Sequence, residues 1–211
     1  MLTRDQIEQN KQKFLELIAS IQIDGADTEG LVNYLFSTDF FTAPASTIYH
    51  CNYDGGLCEH SLNVYYNLER LCQMYYPNYD KNTVLVLGLL HDISKANFYE
   101  KYTQNKKIYS EQGLKHDNGG NFDWVAVEAY KVAEPETRFL AGEHGINSAL
   151  LVGRYIPLTL EESAAIINHM FINDTGGIIK DLTPIYNKYI MAPLLHCADL
   201  LSTYINERPT V

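Results

Sequence analysis

A histidine and an aspartate stand side by side where an apolar stretch of the chain ends. Residues 85–95 read Leu-Val-Leu-Gly-Leu-Leu-His-Asp-Ile-Ser-Lys. Because aliphatic residues cover all sides of the predicted helix, we expect it to be buried, with His91 and Asp92 at its inner end. In an isolated dipeptide of this kind, the two side chains most often form hydrogen bonds with each other or with the free backbone groups of a helix end. Together with further ligands, however, a buried imidazole and carboxylate can bind a metal ion.

Further imidazoles and a second carboxylate recur on or beside other predicted helices. The candidate ligands are His60, His91, Asp92, His144, His169 and Asp199. Asp199 falls within a largely apolar helix, where an unpaired carboxylate would be costly. Four imidazoles and two carboxylates suit divalent ions such as Mn, Fe, Co, Ni or Zn, whereas the lack of thiolate ligands argues against a structural zinc site. The pattern therefore predicts a metal centre built from several helices.

Helical spacing of apolar residues predicts the elements that carry these ligands. Predicted helices cover residues 4–21, 31–36, 57–75, 143–155 and 160–171, with another before His91 and a last one around Asp199. Asn82 or Thr83 can cap the helix before His91, and residues 174–177 predict a turn. Capping-box patterns begin the helices at 4 and 160.

The helices 143–155 and 160–171 are joined by a short connection that contains Pro157. Short connections favour antiparallel packing of the two helices they join. His144 lies near the start of the first helix and His169 near the end of the second. We therefore expect these two imidazoles to face the same cavity.

Residues 98–137 have a different character, because aromatic and β-branched residues alternate with polar ones between turn signals. This pattern predicts two or three short strands that form a small β-meander inserted in a helical body. The predicted fold is thus an all-α bundle of about seven or more helices, a single domain over residues 1–211, with a β-rich insertion at 98–137. The insertion would serve as a stabilising flap or as a lid that shapes the substrate pocket.

Composition limits the function classes. The chain has 211 residues, a formal net charge of −10 and four cysteines without CxxC spacing. The acidic balance disfavours nucleic acid and anionic lipid as partners, and the cysteine pattern is typical of reduced thiols. The N-terminus of the chain is polar, and no apolar run approaches the roughly 18 residues of a membrane span. We therefore expect a cytoplasmic protein with no membrane partner.

The order His, His-Asp, His, His, Asp resembles the HD-domain superfamily of metal-dependent phosphohydrolases. Residues 40–205, apart from 98–137, are similar to a bacterial subgroup that includes the HD domain of the YhaM-type 3′-to-5′ exoribonucleases. The stretches that carry the resemblance are Ala43-Pro-Ala, Gly55-Gly-Leu-Cys-Glu-His-Ser-Leu62, Leu87-Gly-Leu-Leu-His-Asp-Ile-Ser-Lys95, Gly142-Glu-His144 and His196-Cys-Ala-Asp-Leu-Leu201.

The resemblance implies two metal sites that share one carboxylate. One ion would be held by His60, His91, Asp92 and Asp199, and a second by His144 and His169, with Asp92 as the bridge. The cofactors would be one or two divalent ions of Mn, Fe, Co, Ni, Zn or Mg. The catalytic residues would be Asp92 and Lys95, with Lys95 in contact with the scissile phosphate.

Three positions depart from the pattern of the family, and three histidines fall outside the ligand set. Ser94 stands in place of a common glycine, while Asn168 and Cys51 stand where some relatives have histidine. The histidines taken as non-ligands are His50, His116 and His196.

Three functions are compatible with these features of the sequence. The leading one is hydrolysis of a phosphomonoester or phosphodiester, with a nucleotide as the expected substrate and small phosphoesters as partners. A 3′-to-5′ nuclease is the second, although residues 98–137 mix lysines and aromatics with acidic residues. The third is a non-catalytic nucleotide sensor, which the complete set of six ligands disfavours.

Overall fold

The computed structural model describes residues 1–170 and 181–207, which form a mostly helical protein with one small antiparallel sheet. The eight α-helices of the described residues are α1 (Arg4–Ala19), α2 (Thr28–Phe36), α3 (Gly56–Tyr75), α4 (Lys81–Leu90), α5 (His144–Val152), α6 (Leu160–Ile167), α7 (Thr183–Lys188) and α8 (Met191–Leu201). The strands are β1 (Tyr99–Tyr109), β2 (Lys115–Asp117) and β3 (Gly120–Val132). Two 3-10 turns, Ile93–Lys95 and Pro135–Thr137, and a π-helical turn, Ser202–Asn206, complete the described elements.

The starts of the helices follow from local hydrogen bonding. Both predicted capping boxes are present, with Thr3 at the start of α1 and Thr159 at the start of α6. Helix α4 is capped by Asp80, whose side chain accepts from the amide of Asn82. The prediction of Asn82 or Thr83 as the cap was therefore wrong, because the carboxylate two residues earlier satisfies the free amide at the helix start.

Helices α3 and α4 form the centre of the body because they approach each other closely. A side chain at Gly88 would place its Cβ 2.5 Å from the Cα of Tyr65, so only glycine permits this approach. Residues 84–90 of α4 are all buried, as the apolar run predicts. Because α3 and α4 pack closely, the start of α3 and the end of α4 are buried, and so are His60 and His91.

The three strands all fall within the predicted β-rich segment, but their order differs from that of a meander. Strand β3 pairs antiparallel with β1 from Tyr99↔Val132 to Tyr109↔Phe122, and its first residues also pair with β2. The order is therefore β1-β3-β2. The prediction failed here because β2 has only three residues, while β3 is long enough to pair on both sides. We call residues 99–132 the ribbon.

Polar contacts join the ribbon to the helical body near its base. The ammonium of Lys101 on β1 lies 2.8 Å from a carboxylate oxygen of Asp54, and the hydroxyl of Tyr130 on β3 donates to the other oxygen. The amide of Ala133 donates to the carbonyl of Phe98 at 2.9 Å. Much of the ribbon beyond these contacts is exposed to solvent.

Helix α7 was not foreseen from the sequence. The turn predicted at 174–177 lies outside the described residues. The helix predicted to reach residue 171 ends at Ile167, because the backbone of Asn168 leaves the helical conformation and its side chain caps the carbonyl of Ala164. Among the described helices, none combines the length and the apolar character that crossing a membrane requires.

Candidate metal centre

The six predicted ligand residues come together although they lie on five different parts of the chain. His60 is the fifth residue of α3, and His91 follows the last residue of α4. His144 is the first residue of α5, whereas His169 lies two residues beyond α6 rather than inside it. Asp199 is on α8, which packs against both α3 and α6.

Asp92 lies at the centre of this cluster, and its two carboxylate oxygens face different imidazoles. Oδ2 lies 3.6 Å from Nε2 of His60 and 3.6 Å from Nε2 of His91. Oδ1 lies 3.6 Å from Nε2 of His144 and 3.5 Å from Nε2 of His169. The Nε2 atoms of His144 and His169 are themselves 3.2 Å apart. His144 and His169 therefore lie together on one side of Asp92, as expected if the helices that carry them pack antiparallel.

Asp199 completes the other side of the cluster. Its Oδ1 lies 3.3 Å from Nε2 of His60, and its carboxylate, His60 and His91 offer three ligand atoms within 4.8 Å of one another. A second group with the same spread consists of His91, Asp92 and His169. Ligand atoms at these separations can surround a single ion.

Unsatisfied polar atoms provide a test of whether this cluster fits a metal ion. Nε2 of His60, Nε2 of His91 and Oδ1 of Asp92 are buried and have no hydrogen-bond partner among the described residues. Leaving a buried polar atom unpaired costs about 1–3 kcal/mol. A divalent cation would satisfy all three atoms, and nitrogen and oxygen donors together suit first-row divalent ions. The residues of the cluster therefore fit a metal site.

Hydrogen bonds on the far side of each ring fix the orientation of the imidazoles. Nδ1 of His91 donates to the carbonyl of Gly88 at 3.1 Å, and Nδ1 of His169 donates to the carbonyl of Ile166 at 2.7 Å. A carbonyl can only accept, so the proton of each neutral ring is on Nδ1. Nε2 is thus left with a lone pair directed at the cluster, as a metal ligand requires.

Lys95 contributes a positive charge beside Asp92. Its Nζ lies 2.7 Å from Oδ2 of Asp92, and the 3-10 turn Ile93–Lys95 places it there. Burial alone would raise the pKa of Asp92, but Lys95 and His91 outweigh it and hold that pKa well below its usual range. Burial alone would lower the pKa of Lys95, and the neighbouring carboxylate raises it instead. Both side chains therefore stay charged at neutral pH.

The pKa values of His60 and His91, the two imidazoles nearest to Asp199, are shifted in opposite directions. Burial lowers the pKa of His91 to about 3, so this ring is neutral. Burial also acts to lower the pKa of His60, but Glu207 and Asp199 outweigh it and raise the pKa to about 10. In the metal-free site a proton on His60 thus balances the buried carboxylates, a role that a bound cation would take over.

The positions that depart from the family pattern have roles in the local structure. Ser94 donates through Oγ to the carbonyl of His144 at 2.9 Å, which ties the 3-10 turn to α5. The side chain of Asn168 donates to the carbonyl of Ala164 at the end of α6. Cys51 is buried at a positive φ of 44°.

Sequence reasoning missed Glu207 and left out His50. The carboxylate of Glu207 lies 3.0 Å from Nδ1 of His60, and no spacing signal in the sequence indicates it. The ring of His50 lies 4.7 Å from that of His60, and both of its nitrogens are buried without a partner in the described chain. His116, by contrast, is exposed on the ribbon, and Nδ1 of His196 contacts the hydroxyl of Tyr186 at 2.5 Å.

A mostly helical protein with a buried histidine–aspartate cluster fitted to divalent ions is the class that the fold and the site define. The family model of the HD domain matches residues 57–175, more than half of the chain. The chain belongs to the HD-domain superfamily of metal-dependent phosphohydrolases. Comparison with curated proteins and with solved structures gives no significant match.

Proposed function

We propose that this protein hydrolyses a phosphomonoester or phosphodiester, with a nucleotide as the substrate class, at a centre of two divalent ions. The observation that carries the proposal is the division of the Asp92 carboxylate between two sets of imidazoles. A carboxylate between two groups of nitrogen donors is suited to bridge two ions. Two-ion sites of this kind are typical of enzymes that cleave phosphate esters.

Each residue of the cluster then has a defined task. His60, His91 and Asp199 would hold one ion, His144 and His169 would hold the second, and Asp92 would be shared by the two. The bound ions supply the activation of water and the stabilisation of negative charge on the phosphoryl group.

Lys95 adds a fixed positive charge to the same task. Its ammonium is already held 2.7 Å from Asp92, so little reorganisation is needed when an anionic substrate arrives. Its side chain is only 12% exposed, and the surrounding protein limits screening by water. Lys95 is therefore suited to bind an oxygen of the scissile phosphate.

The nuclease alternative needs a basic path with stacking aromatic side chains. The ribbon does expose Trp124, but several of its lysines are neutralised by carboxylates. Lys107 lies 2.5 Å from Asp117, and Lys131 lies 2.7 Å from Glu100. These pairs weaken attraction to a phosphate backbone, so we rank a small nucleotide above a nucleic acid.

The test combines metal analysis of the purified protein with a panel of phosphomonoesters, phosphodiesters and nucleotides in the presence of added Mn²⁺. His91→Ala should abolish turnover and lower the metal content. His116→Ala is the matched control, because it removes an exposed imidazole from the ribbon and should leave both unchanged. Binding of a nucleotide with no turnover of any substrate would instead support the sensor alternative.

A further inference from the structure

The C-terminal part of the described chain folds back onto one face of α3. The side-chain amide of Asn67 donates to Oγ of Ser202 and to Oδ1 of Asn206, both at 2.8 Å. One turn nearer the start of α3, the side-chain amide of Asn63 donates to Oε1 of Glu207 at 3.0 Å. These two amides, at positions 63 and 67, therefore fix the π-helical turn and the residue that follows it.

His60 continues the same face of α3, since it lies three residues before Asn63. Both carboxylate oxygens of Glu207 lie close to its Nδ1, at 3.0 and 3.1 Å. The side chain of Glu207 is only 1% exposed, so solvent hardly competes for this contact. The opposite nitrogen of the ring, Nε2, is the buried atom that lies 3.3 Å from Asp199 and 3.6 Å from Asp92.

We propose that Glu207 is a positioning residue for the metal centre and acts through His60. By accepting a hydrogen bond from Nδ1, its carboxylate keeps the proton of the neutral ring away from Nε2 and holds the ring plane fixed. It also makes Nε2 a stronger donor, which is the usual effect of a carboxylate behind a ligating histidine. The assignment rests on the proposed metal centre.

The neighbourhood of Glu207 offers one competing arrangement. His50, His60 and Glu207 also bring three ligand atoms within 4.8 Å of one another, which could surround an ion on the Nδ1 side. An ion there would need an unprotonated Nδ1 on His60. The Nε2 side has the carboxylates of Asp92 and Asp199 together with His91, so a cation is held more strongly there. With the ion on Nε2, Nδ1 keeps its proton and donates a hydrogen bond to the carboxylate of Glu207.

The test measures the dissociation constant for Co²⁺ by competition with a chelator, together with the visible absorption of the bound ion. Glu207→Ala should weaken binding about 10–100-fold, as removal of such partners typically does, and should shift the absorption spectrum. Glu207→Gln should lose less, because its amide oxygen can still accept from Nδ1. Circular dichroism checks that each variant is folded.

Two matched variants separate positioning from other roles. Asn67→Ala loosens the same C-terminal turn without touching His60, so it should lower the melting temperature and leave Co²⁺ affinity unchanged. His50→Ala removes the third member of the competing arrangement and should also leave the affinity unchanged.

Three results would overturn the assignment. The first is wild-type affinity in Glu207→Ala, and the second is an equal loss of affinity in Asn67→Ala, which would mean that Glu207 acts only through folding. The third is an equal loss in His50→Ala, which would make Glu207 a ligand of an ion on the Nδ1 side. If the wild-type protein bound no divalent ion, the proposed metal centre itself would fail, and the role of Glu207 with it.

Discussion

The candidate metal centre and the ribbon both contain many charged and polar side chains, but the two regions differ in how far these side chains find partners within the chain. On the ribbon, opposite charges pair within the chain, as in Lys107 with Asp117 and Lys131 with Glu100. In the centre, the nitrogens that face Asp92 are buried, and Nε2 of both His60 and His91 lacks a hydrogen-bond partner among the described residues. Charged groups of the ribbon thus pair with each other, whereas the centre keeps several buried ligand atoms without a hydrogen-bond partner in the described chain.

The energetics explain why this difference points to function. Exposed ion pairs contribute little to stability, because water screens them and ordering of the side chains opposes them. Buried unpaired groups lower stability, by about 1–3 kcal/mol for each group. In the centre, a divalent cation would satisfy the unpaired atoms of His60, His91 and Asp92. Substitutions in the centre should therefore affect activity far more than equivalent ones on the ribbon.

The largest effect is expected for Asp92→Asn. Asparagine keeps the size of the side chain but removes the negative charge that both sets of imidazoles face. Loss of an outer partner of a ligand already costs about 10–100-fold, so loss of this central carboxylate should lower kcat by more than that and release bound metal. Asp123→Asn, on the ribbon, is the control and should behave as the wild type. Substantial turnover in Asp92→Asn would remove the basis for a bridging carboxylate.

A double variant tests whether both sides of Asp92 are needed. Replacing His144 and His169 by Ala should abolish hydrolysis while one ion per chain stays bound, because His60, His91 and Asp199 are retained. Turnover must be measured with added metal, and the stoichiometry by elemental analysis. Full activity would show that one ion suffices and that these two histidines serve the core or the substrate.

Much of the fold follows from the sequence because local signals agree with the packing. The capping boxes at Thr3 and Thr159 and the buried apolar run 84–90 of α4 all appear as expected. The order of the strands could not be predicted from the sequence. The partners of β3 depend on the lengths of the strands and of their connections, and the alternation of apolar and polar residues does not encode these lengths. Helix α7 has only six residues, too few to show a helical period.

The convergence of the candidate ligands could be predicted from the sequence, but the contacts that support them could not. His91–Asp92 is marked by the apolar run before it, and His144 and His169 by the short connection between their helices. Glu207 has no such signal, because its contact with His60 joins residues 147 positions apart. The burial of His50 likewise depends on tertiary packing beside His60.

Lys95→Met tests the charge that the centre adds beyond its metal ligands. Removing one preorganised group that stabilises transition-state charge costs about 100–1,000-fold in kcat, so we expect a loss in this range with metal still bound. Steady-state kinetics and metal analysis of the same sample check both parts. Lys106→Met, an exposed substitution on the ribbon, should have no effect. A rise in KM alone would indicate that Lys95 binds the ground state and transition state equally.

The smallest effect is expected where the ribbon meets the body, at Asp54. Lys101 and Asp54 are 44% and 49% exposed, so Asp54→Ala should destabilise the fold by at most about 1 kcal/mol. If the ribbon is the stabilising flap predicted from the sequence, kcat, KM and metal content should stay as in the wild type. A marked rise in KM would show instead that the ribbon acts as a lid over the substrate.

The pH dependence of this last effect identifies its cause. Burial acts to raise the pKa of Asp54, but Lys101 and Tyr130 outweigh it and lower the pKa below its usual value. A carboxyl group with a lowered pKa in the folded state stabilises the protein above its unfolded pKa of about 3.9, and this contribution disappears as the pH falls through the folded value. The difference in melting temperature between wild type and Asp54→Ala should therefore be present at pH 7 and shrink in acid. A difference that persisted unchanged below pH 3 would mean that Asp54 acts through packing and not through its charge.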